Sequence, residues 1–399
     1  MEIKIKPGIA RGKITAPPSK SMSHRLLIAA ALAQGTSTLH HIGASEDITA
    51  TIDCLKALGY EPKQKGSTIQ IFGGMPKYTG ETLFCRESGS TLRFMIPLCL
   101  LTGEKFTLRG SKRLMERPQT VYESLCRERH FTFSQTENTI TVQGRLTPGE
   151  YQLDAGISSQ FITGMMFALS TFETQSKICL TGNIESRSYI DLTIKTLNAF
   201  GMKTSWSREN EILLTGEKGT GKELTVEGDY SNAAFFAALN YLGGSVEITG
   251  LAPDSLQGDR IYQDYFKQIE NGCPTLSLKD CPDLGPILMT LAAMKNGAVF
   301  TDTARLKIKE SDRGAVMAQE LKKAGVTCQL EENRIIVPAG VSVPKEAFCG
   351  HNDHRIVMAL AVLATQLGGK IIGAEAVAKS FPDFFRELQN LNIEVTKCS

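Results

Sequence analysis

Three arginines sit where a hydrophobic core has no use for them. Arg25, Arg93 and Arg355 each stand at the start of an apolar run of helical length, Leu26 to Leu32, Phe94 to Leu101 and Ile356 to Leu363. Lys20, Gln160, Asp283 and His354 hold matching places in these or sister runs, beside Ser, Gly, Asp and Asn. A helix N-terminus leaves backbone N–H groups unpaired and carries roughly half a positive charge, so phosphate or carboxylate is its natural ligand. Ser, Asp and Asn are also ordinary caps, which is the plain reading of any single start. Arginine gains little at an N-terminus unless an anion is present, and three of the starts carry one. Several such ends facing one cleft would bind a polyanion.

Two further segments are dense in charge. Ser111-Lys-Arg-Leu-Met-Glu-Arg-Pro118 precedes a helical pattern, and Arg305-Leu-Lys-Ile-Lys-Glu-Ser-Asp-Arg313 alternates like a strand before changing to helical period. On that pattern Lys307 and Lys309 share a strand face, Glu310 stands at the strand–helix junction and Arg313 follows three residues later. Such runs are usually solvated faces, but a strand end leading into a helix is a place where sites are built.

Other motifs fail on inspection. Gly216-Glu-Lys-Gly-Thr-Gly-Lys222-Glu223 has the spacing of a phosphate-binding loop, but Glu223 replaces the magnesium-binding Ser/Thr and a strand-like Leu-Thr-Val follows. It reads as a hairpin turn. His40-His41 and His351 with His354 lack a ligand set, so no metal is required, and no dinucleotide fingerprint or Gly-x-Ser-x-Gly occurs. The ten cysteines contain no Cys-x-x-Cys and read as reduced, mostly buried thiols.

The elements that must position these residues form a repeat. A short polar start, an apolar helix, a Gly turn and a strand recur six times, from Pro18-Ser-Lys-Ser-Met-Ser-His-Arg25, Glu87-Ser-Gly-Ser-Thr-Leu-Arg93, Gly156-Ile-Ser-Ser-Gln160, Gly228-Asp-Tyr-Ser-Asn232, Pro282-Asp-Leu-Gly-Pro286 and Asn352-Asp-His-Arg355. With Ser19, Ser88, Ser158, Tyr230, Asp283 and Asp353 as markers, the spacings are 69, 70, 72, 53 and 70 residues. Between copies lies a more amphipathic helix, usually followed by a strand pair turning at Lys65-Gly-Ser67, Glu137-Asn138, Arg208-Glu-Asn210 and Glu331-Glu-Asn333. The unit is therefore helix, strand, helix, strand, strand, with the hairpin trimmed in the short fourth interval. The first helix of each unit is apolar nearly all round and so belongs inside its lobe. This predicts an α/β protein of two lobes with three units each, residues 14–226, and residues 1–13 with 227–399.

Lys+Arg 44 against Asp+Glu 42 leaves a net charge of +2, which argues against a nucleic-acid binder. The longest nearly uncharged stretch, Phe94 to Gly103, is too short to span a bilayer. The opening Met-Glu-Ile-Lys-Ile-Lys alternates like a strand and has no signal-peptide character, so cytoplasmic residence is expected.

Taken in order, Ser19-Lys-Ser-Met-Ser-His-Arg25, Gly89-Ser-Thr-Leu-Arg93, Glu116-Arg-Pro118, Ser158-Ser-Gln-Phe161, Lys309-Glu-Ser-Asp-Arg313, Asn352-Asp-His-Arg355 and Ala378-Lys-Ser-Phe-Pro382 resemble the 5-enolpyruvylshikimate-3-phosphate synthase family from end to end. The resemblance implies a two-lobed inside-out α/β barrel with the buried helices aiming their N-termini at an interlobe cleft. It implies a monomer, without metal or cofactor, that moves the enolpyruvyl group of phosphoenolpyruvate to the 5-hydroxyl of shikimate 3-phosphate. By similarity, Lys20, Ser21, Arg25, Ser158, Ser159, Gln160, Ser186, Tyr189, Asp283 and Lys309 would meet shikimate 3-phosphate. Lys20, Gly89, Arg93, Arg117, Gln160, Arg313, His354, Arg355 and Lys379 would meet phosphoenolpyruvate. Asp283 resembles the general base and Glu310 the acid, with Lys20 beside them as a catalytic cation.

The chain departs from the common pattern at Glu87 to Arg93, where many members have Asn-Ala-Gly-Thr-Ala-Met-Arg, and at Arg305, where some carry Asn. The rival with the same fold and donor, UDP-N-acetylglucosamine enolpyruvyl transferase, relies on a loop cysteine that Gly110 to Thr120 lacks. A non-catalytic polyanion-binding module would have no use for Asp283 and Glu310, since carboxylates repel its ligand.

Overall fold

A computed structural model describes residues 1–398, and the chain forms two compact units, one of residues 18–227 and one of residues 1–17 with 228 onward. Each repeat begins with a strand that the sequence pattern, helix, strand, helix, strand, strand, does not contain. The second repeat runs Leu83–Arg86, the buried helix Gly89–Cys99, Lys105–Gly110, the helix Thr120–Glu128, and the hairpin Thr132–Gln135 with Thr139–Gln143. Leu83–Arg86 lies parallel to Lys105–Gly110, and the hairpin closes on the far side in antiparallel register, Phe106 opposite Val142 and Phe133 opposite the same residue. A parallel pair needs a crossover, and the apolar helix is that crossover.

The leading strands of the first and fourth repeats are exchanged. Arg11–Thr15 runs into the Lys20–Leu32 helix but pairs with Ser245–Thr249, while Glu223–Thr225 runs toward the Tyr230–Tyr241 helix but pairs with Gly35–His40. The fourth sheet stops at two strands, as the short interval implied. The sixth takes its antiparallel strands from both chain ends, Glu2–Ile5 pairing with Gly369–Ile372 and with Val395–Cys398.

In each unit the sheets enclose three apolar helices. The Lys20–Leu32 helix buries every residue from Met22 to Leu32, and Gly285–Met294 buries Gly285 through Ala293, which is why these runs are hydrophobic all round. Their mutual approach is close: a Cβ on Gly164 would fall 2.4 Å from the Arg93 carbonyl oxygen and 2.4 Å from the Tyr122 hydroxyl. Glycine at 164 therefore sets the distance between the helices that carry Arg93 and Gln160.

Three sequence expectations are corrected. The segment before Glu310 is not a strand: Ala304–Ile308 is a 3-10 turn, so Lys307 is exposed with its Nζ donating to the Glu332 carbonyl, while Lys309 turns inward. Two leucine/isoleucine positions separated by lysines mimic strand alternation, but the run is too short to pair. The Gly216–Lys222 stretch is not a hairpin turn; it connects two different sheets, with the Gln34–Thr220 bridge holding it. Of the ten cysteines, all free thiols, five are buried, four half-buried and Cys273 exposed, so burial is less general than their contexts suggested. Among the described residues no helix is long and apolar enough to cross a membrane.

Candidate active site

Within residues 18–227 the three buried helices start from serine caps. Ser19 accepts from the Met22 amide, Ser88 from Thr91 and Ser158 from Gln160, which fixes where each first turn points. Arg25 is 2% exposed and donates to Thr193 Oγ1 at 2.9 Å, the Ser21 carbonyl at 2.8 Å and the Tyr189 carbonyl at 3.0 Å, between the rings of Phe94 and Tyr189. These partners are neutral, and burial lowers its pKa to about 10. A desolvated guanidinium with neutral partners is a strong attractor for an anion.

Arg93, equally buried, donates to Gln160 Oε1 at 2.8 Å and to the Pro118 carbonyl at 2.9 Å, and lies over the Phe161 ring. Gln160 in turn donates to Ser90 Oγ at 2.9 Å, so its orientation is fixed from both ends. Arg117 caps the Lys112–Glu116 helix, its guanidinium so near Gly89 that a Cβ there would meet Nη1 at 2.5 Å. Lys20 pairs with Asp47 at 2.9 Å. Ser159 and Ser186 are buried, and Ser186 takes a left-handed φ of 52° at the head of the Arg187–Ala199 helix.

His24 of the first motif is structural. Burial first, then the charges of Lys20 and Arg25, hold its pKa well below the usual value, and its Nδ1 lies 2.7 Å from Thr51 Oγ1. Thr51 reaches Thr91 at 2.7 Å, and Thr91 donates to Ser88 Oγ at 2.8 Å. Ser88 and Thr91 are two of the departures from the common pattern, and here they supply the hydroxyls of this buried chain.

Residues from 228 onward build a second group around Arg313, which is 1% exposed. Its Nη1 donates to Asp283 at 2.7 Å, its Nη2 to Glu310 at 2.8 Å, and its Nε to Asp353 at 2.9 Å. Burial alone would lower its pKa; the charges of Asp353, Glu310 and Asp283 overcome this and raise it well above the usual value. Asp283 also accepts from Lys309 at 3.1 Å, and Arg355 Nη2 stands 3.6 Å from its other oxygen. Burial pushes the Lys309 pKa down to about 8, only partly offset by Asp283. Arg355 Nη1 donates to Asn232 at 2.9 Å, and Lys379 Nζ to the Asn352 carbonyl at 2.5 Å. His354 is buried at the first position of its helix, capped by Asp353.

Sequence pattern does not single out Asp47, Asn232 and Asp353 as partners of Lys20, Arg355 and Arg313, nor Asp259 as a buried carboxylate. Asp47 was signalled by Ser45-Glu-Asp at a helix start. Asp259 opens the amphipathic run of the fourth repeat, in the Gly258–Ile261 turn; it accepts from Ser231 at 2.5 Å, and burial, then the charge of Asp283, raises its pKa to about 6.

The family model for EPSP synthase (3-phosphoshikimate 1-carboxyvinyltransferase) matches residues 6–388. The chain is 36% identical to the 3-phosphoshikimate 1-carboxyvinyltransferase of Clostridium novyi, covering 98% of this chain and 97% of that one. It is 35% identical to the protein of the same name from Clostridium kluyveri, covering 100% and 99%. In structure it is similar to the EPSP synthase of Acinetobacter baumannii, with a TM-score of 0.79, 27% identity, and 99% and 100% of the two chains covered. Two units of sheet-wrapped helices, cationic helix starts and a carboxylate pair on one arginine are thus found in a chain that belongs to the EPSP synthase family.

Proposed function

We propose that this chain transfers the enolpyruvyl group of phosphoenolpyruvate to the 5-hydroxyl of shikimate 3-phosphate, releasing phosphate, on the route to chorismate and the aromatic amino acids. The observation that carries the reading is the placement of Asp283 and Glu310 on two nitrogens of one buried guanidinium, Arg313 Nη1 and Nη2. A carboxylate that takes a proton and a carboxyl that gives one are what addition of a hydroxyl to an enol phosphate requires.

In this reading Asp283 accepts the 5-hydroxyl proton as the oxygen attacks C2 of phosphoenolpyruvate, and Glu310 delivers a proton to the methylene carbon, making a tetrahedral ketal. Glu310, now a carboxylate, takes a methyl proton as the C2–phosphate oxygen bond breaks, and Asp283 returns its proton to the departing phosphate, giving the enol ether and phosphate. Arg25, Ser158, Ser159 and Ser186 supply charge and hydroxyl contacts for shikimate 3-phosphate, with Lys20, Ser21, Gln160, Tyr189 and Lys309. Arg93, Arg117, Gly89, Arg355, His354 and Lys379 serve phosphoenolpyruvate. Each donor nitrogen of Arg313 already faces a carboxylate, which leaves one Nη1 N–H for a substrate carboxylate beside Asp283. Release of Glu310 from Nη2 would take away a cation that favours the charged form of a carboxyl, which suits a proton donor.

Both partners in this reading are small anions, and the reaction is placed in the cytoplasm. The test is phosphate release from phosphoenolpyruvate with and without shikimate 3-phosphate, in excess chelator. Release that depends on shikimate 3-phosphate supports the assignment. Turnover with a UDP-sugar in its place overturns it.

A further inference from the structure

We infer that Glu320 is a positioning residue for the phosphoenolpyruvate contacts, holding the turn at His351 and Asn352 from which Asp353, His354 and Arg355 are presented; this rests on the reading of function above. Glu320 has no exposed surface, although it lies on the amphipathic Arg313–Lys323 helix where a leucine would pack without cost. Its Oε2 accepts from the Cys349 amide at 2.9 Å and from Lys323 at 2.8 Å, and its Oε1 lies 2.8 Å from His351 Nε2. Lys323 also donates to the Ala347 carbonyl at 3.0 Å. Every partner of this carboxylate other than Lys323 is therefore on the segment that enters the Asn352-Asp-His-Arg motif, and Lys323 itself reaches the same segment.

That segment is under conformational demand. His351 and Asn352 have φ of 47° and 54°, two consecutive non-glycine residues in the left-handed region. Such backbone persists only where the surroundings over-determine it. The turn directs the Asn352 carbonyl to Lys379 Nζ and sets Asp353, whose amide donates to the Gly350 carbonyl at 2.9 Å, as cap of the His354–Leu367 helix. One helix thus holds the segment at two points about 10 Å apart along its axis, from residues seven positions apart that share a face. Arg313 holds Asp353, and Glu320 holds His351 and the Cys349 amide. The Arg313 contact lies in the reacting group. The Glu320 contact touches no substrate and acts through the turn.

The experiment is steady-state kinetics in both substrates for the unaltered protein, Glu320→Gln and His351→Asn, with thermal melts. Asparagine tolerates the left-handed backbone but is too short to reach Glu320, so it removes the contact and keeps the turn preference. The expected result is a KM for phosphoenolpyruvate raised about five- to twentyfold in either variant, with kcat and the KM for shikimate 3-phosphate within about twofold, since contacts equally used in ground and transition state are lost. If Glu320→Gln does not fold, His351→Asn carries the same expectation. A folded variant with unchanged KM for phosphoenolpyruvate overturns the inference alone, as does a parallel change in kcat and both KM values. Absence of shikimate 3-phosphate-dependent turnover in the unaltered protein overturns the functional reading and the inference with it.

Discussion

Arg313 and Asp353 meet at two points, Nε to Oδ2 at 2.9 Å and Nη2 to Oδ1 at 3.3 Å, with 1% and 0% of their side chains exposed. Buried charges so paired add little net stability when exchanged together for apolar groups, but removing one strands the other. Asp353→Ala is therefore expected to cost about 3 kcal/mol, at the low end for a buried pair because Asp283 and Glu310 still face the guanidinium. Urea unfolding measures it. A midpoint within error of the unaltered protein would show that the pair is not a structural anchor.

Asp283→Ala and Glu310→Gln are expected to lower kcat by about a hundredfold to ten-thousandfold while leaving shikimate 3-phosphate affinity within a few-fold, because proton transfer is what each substitution removes. Calorimetric titration with shikimate 3-phosphate separates the two effects. Lost binding that accounts for all the lost rate would contradict the acid and base roles.

Gly89→Ala places a methyl group where Arg117 Nη1 now stands, at 2.5 Å. The guanidinium must move by about an ångström, and a cation displaced that far binds its anion less well. The expected outcome is a KM for phosphoenolpyruvate raised about tenfold or more, with the KM for shikimate 3-phosphate little changed. Equal changes in both would remove Arg117 from the phosphoenolpyruvate subsite.

Much of this was legible in the sequence because it was periodic. Six apolar runs, 69 to 72 residues apart except for one interval of 53, mark the buried helices, and Ser19, Ser88, Ser158, Asp229 and Asp353 cap five of them in the structure. What escaped notice was tertiary. The exchanged strands Arg11–Thr15 and Glu223–Thr225 each lead along the chain into a helix of one repeat but pair with a strand of another, so nothing local reveals their partners. The Ala304–Ile308 turn alternates apolar and charged residues over too few positions to distinguish a strand from a tight helical turn. Glu320 and Asp259 belong to the amphipathic runs between the apolar helices, where a carboxylate reads as solvated, and only burial identifies them as unusual.

The pH response should follow Lys309, whose side chain is 18% exposed and donates to Asp283. Burial puts its pKa at about 8 in the folded protein, against an ordinary value of 10.5 in the unfolded chain. Between those values the unfolded chain binds more protons than the folded one, so the Lys309 contribution to stability rises with pH across that window, and the cost of burying its charge is fully present below it. Activity should move the opposite way. As the ammonium deprotonates above about pH 8, Asp283 loses a cation and shikimate 3-phosphate loses a positive contact, so kcat/KM for shikimate 3-phosphate falls on the alkaline side. Lys309→Arg carries the charge to higher pH, because a guanidinium titrates well above an ammonium in the same surroundings. It is expected to bind with altered geometry and a lower maximal rate, yet to shift the alkaline limb upward by a unit or more. Profiles of kcat/KM from pH 6 to 10 for both proteins decide the matter: an alkaline limb that stays in place in Lys309→Arg assigns it to another group and removes Lys309 as its source.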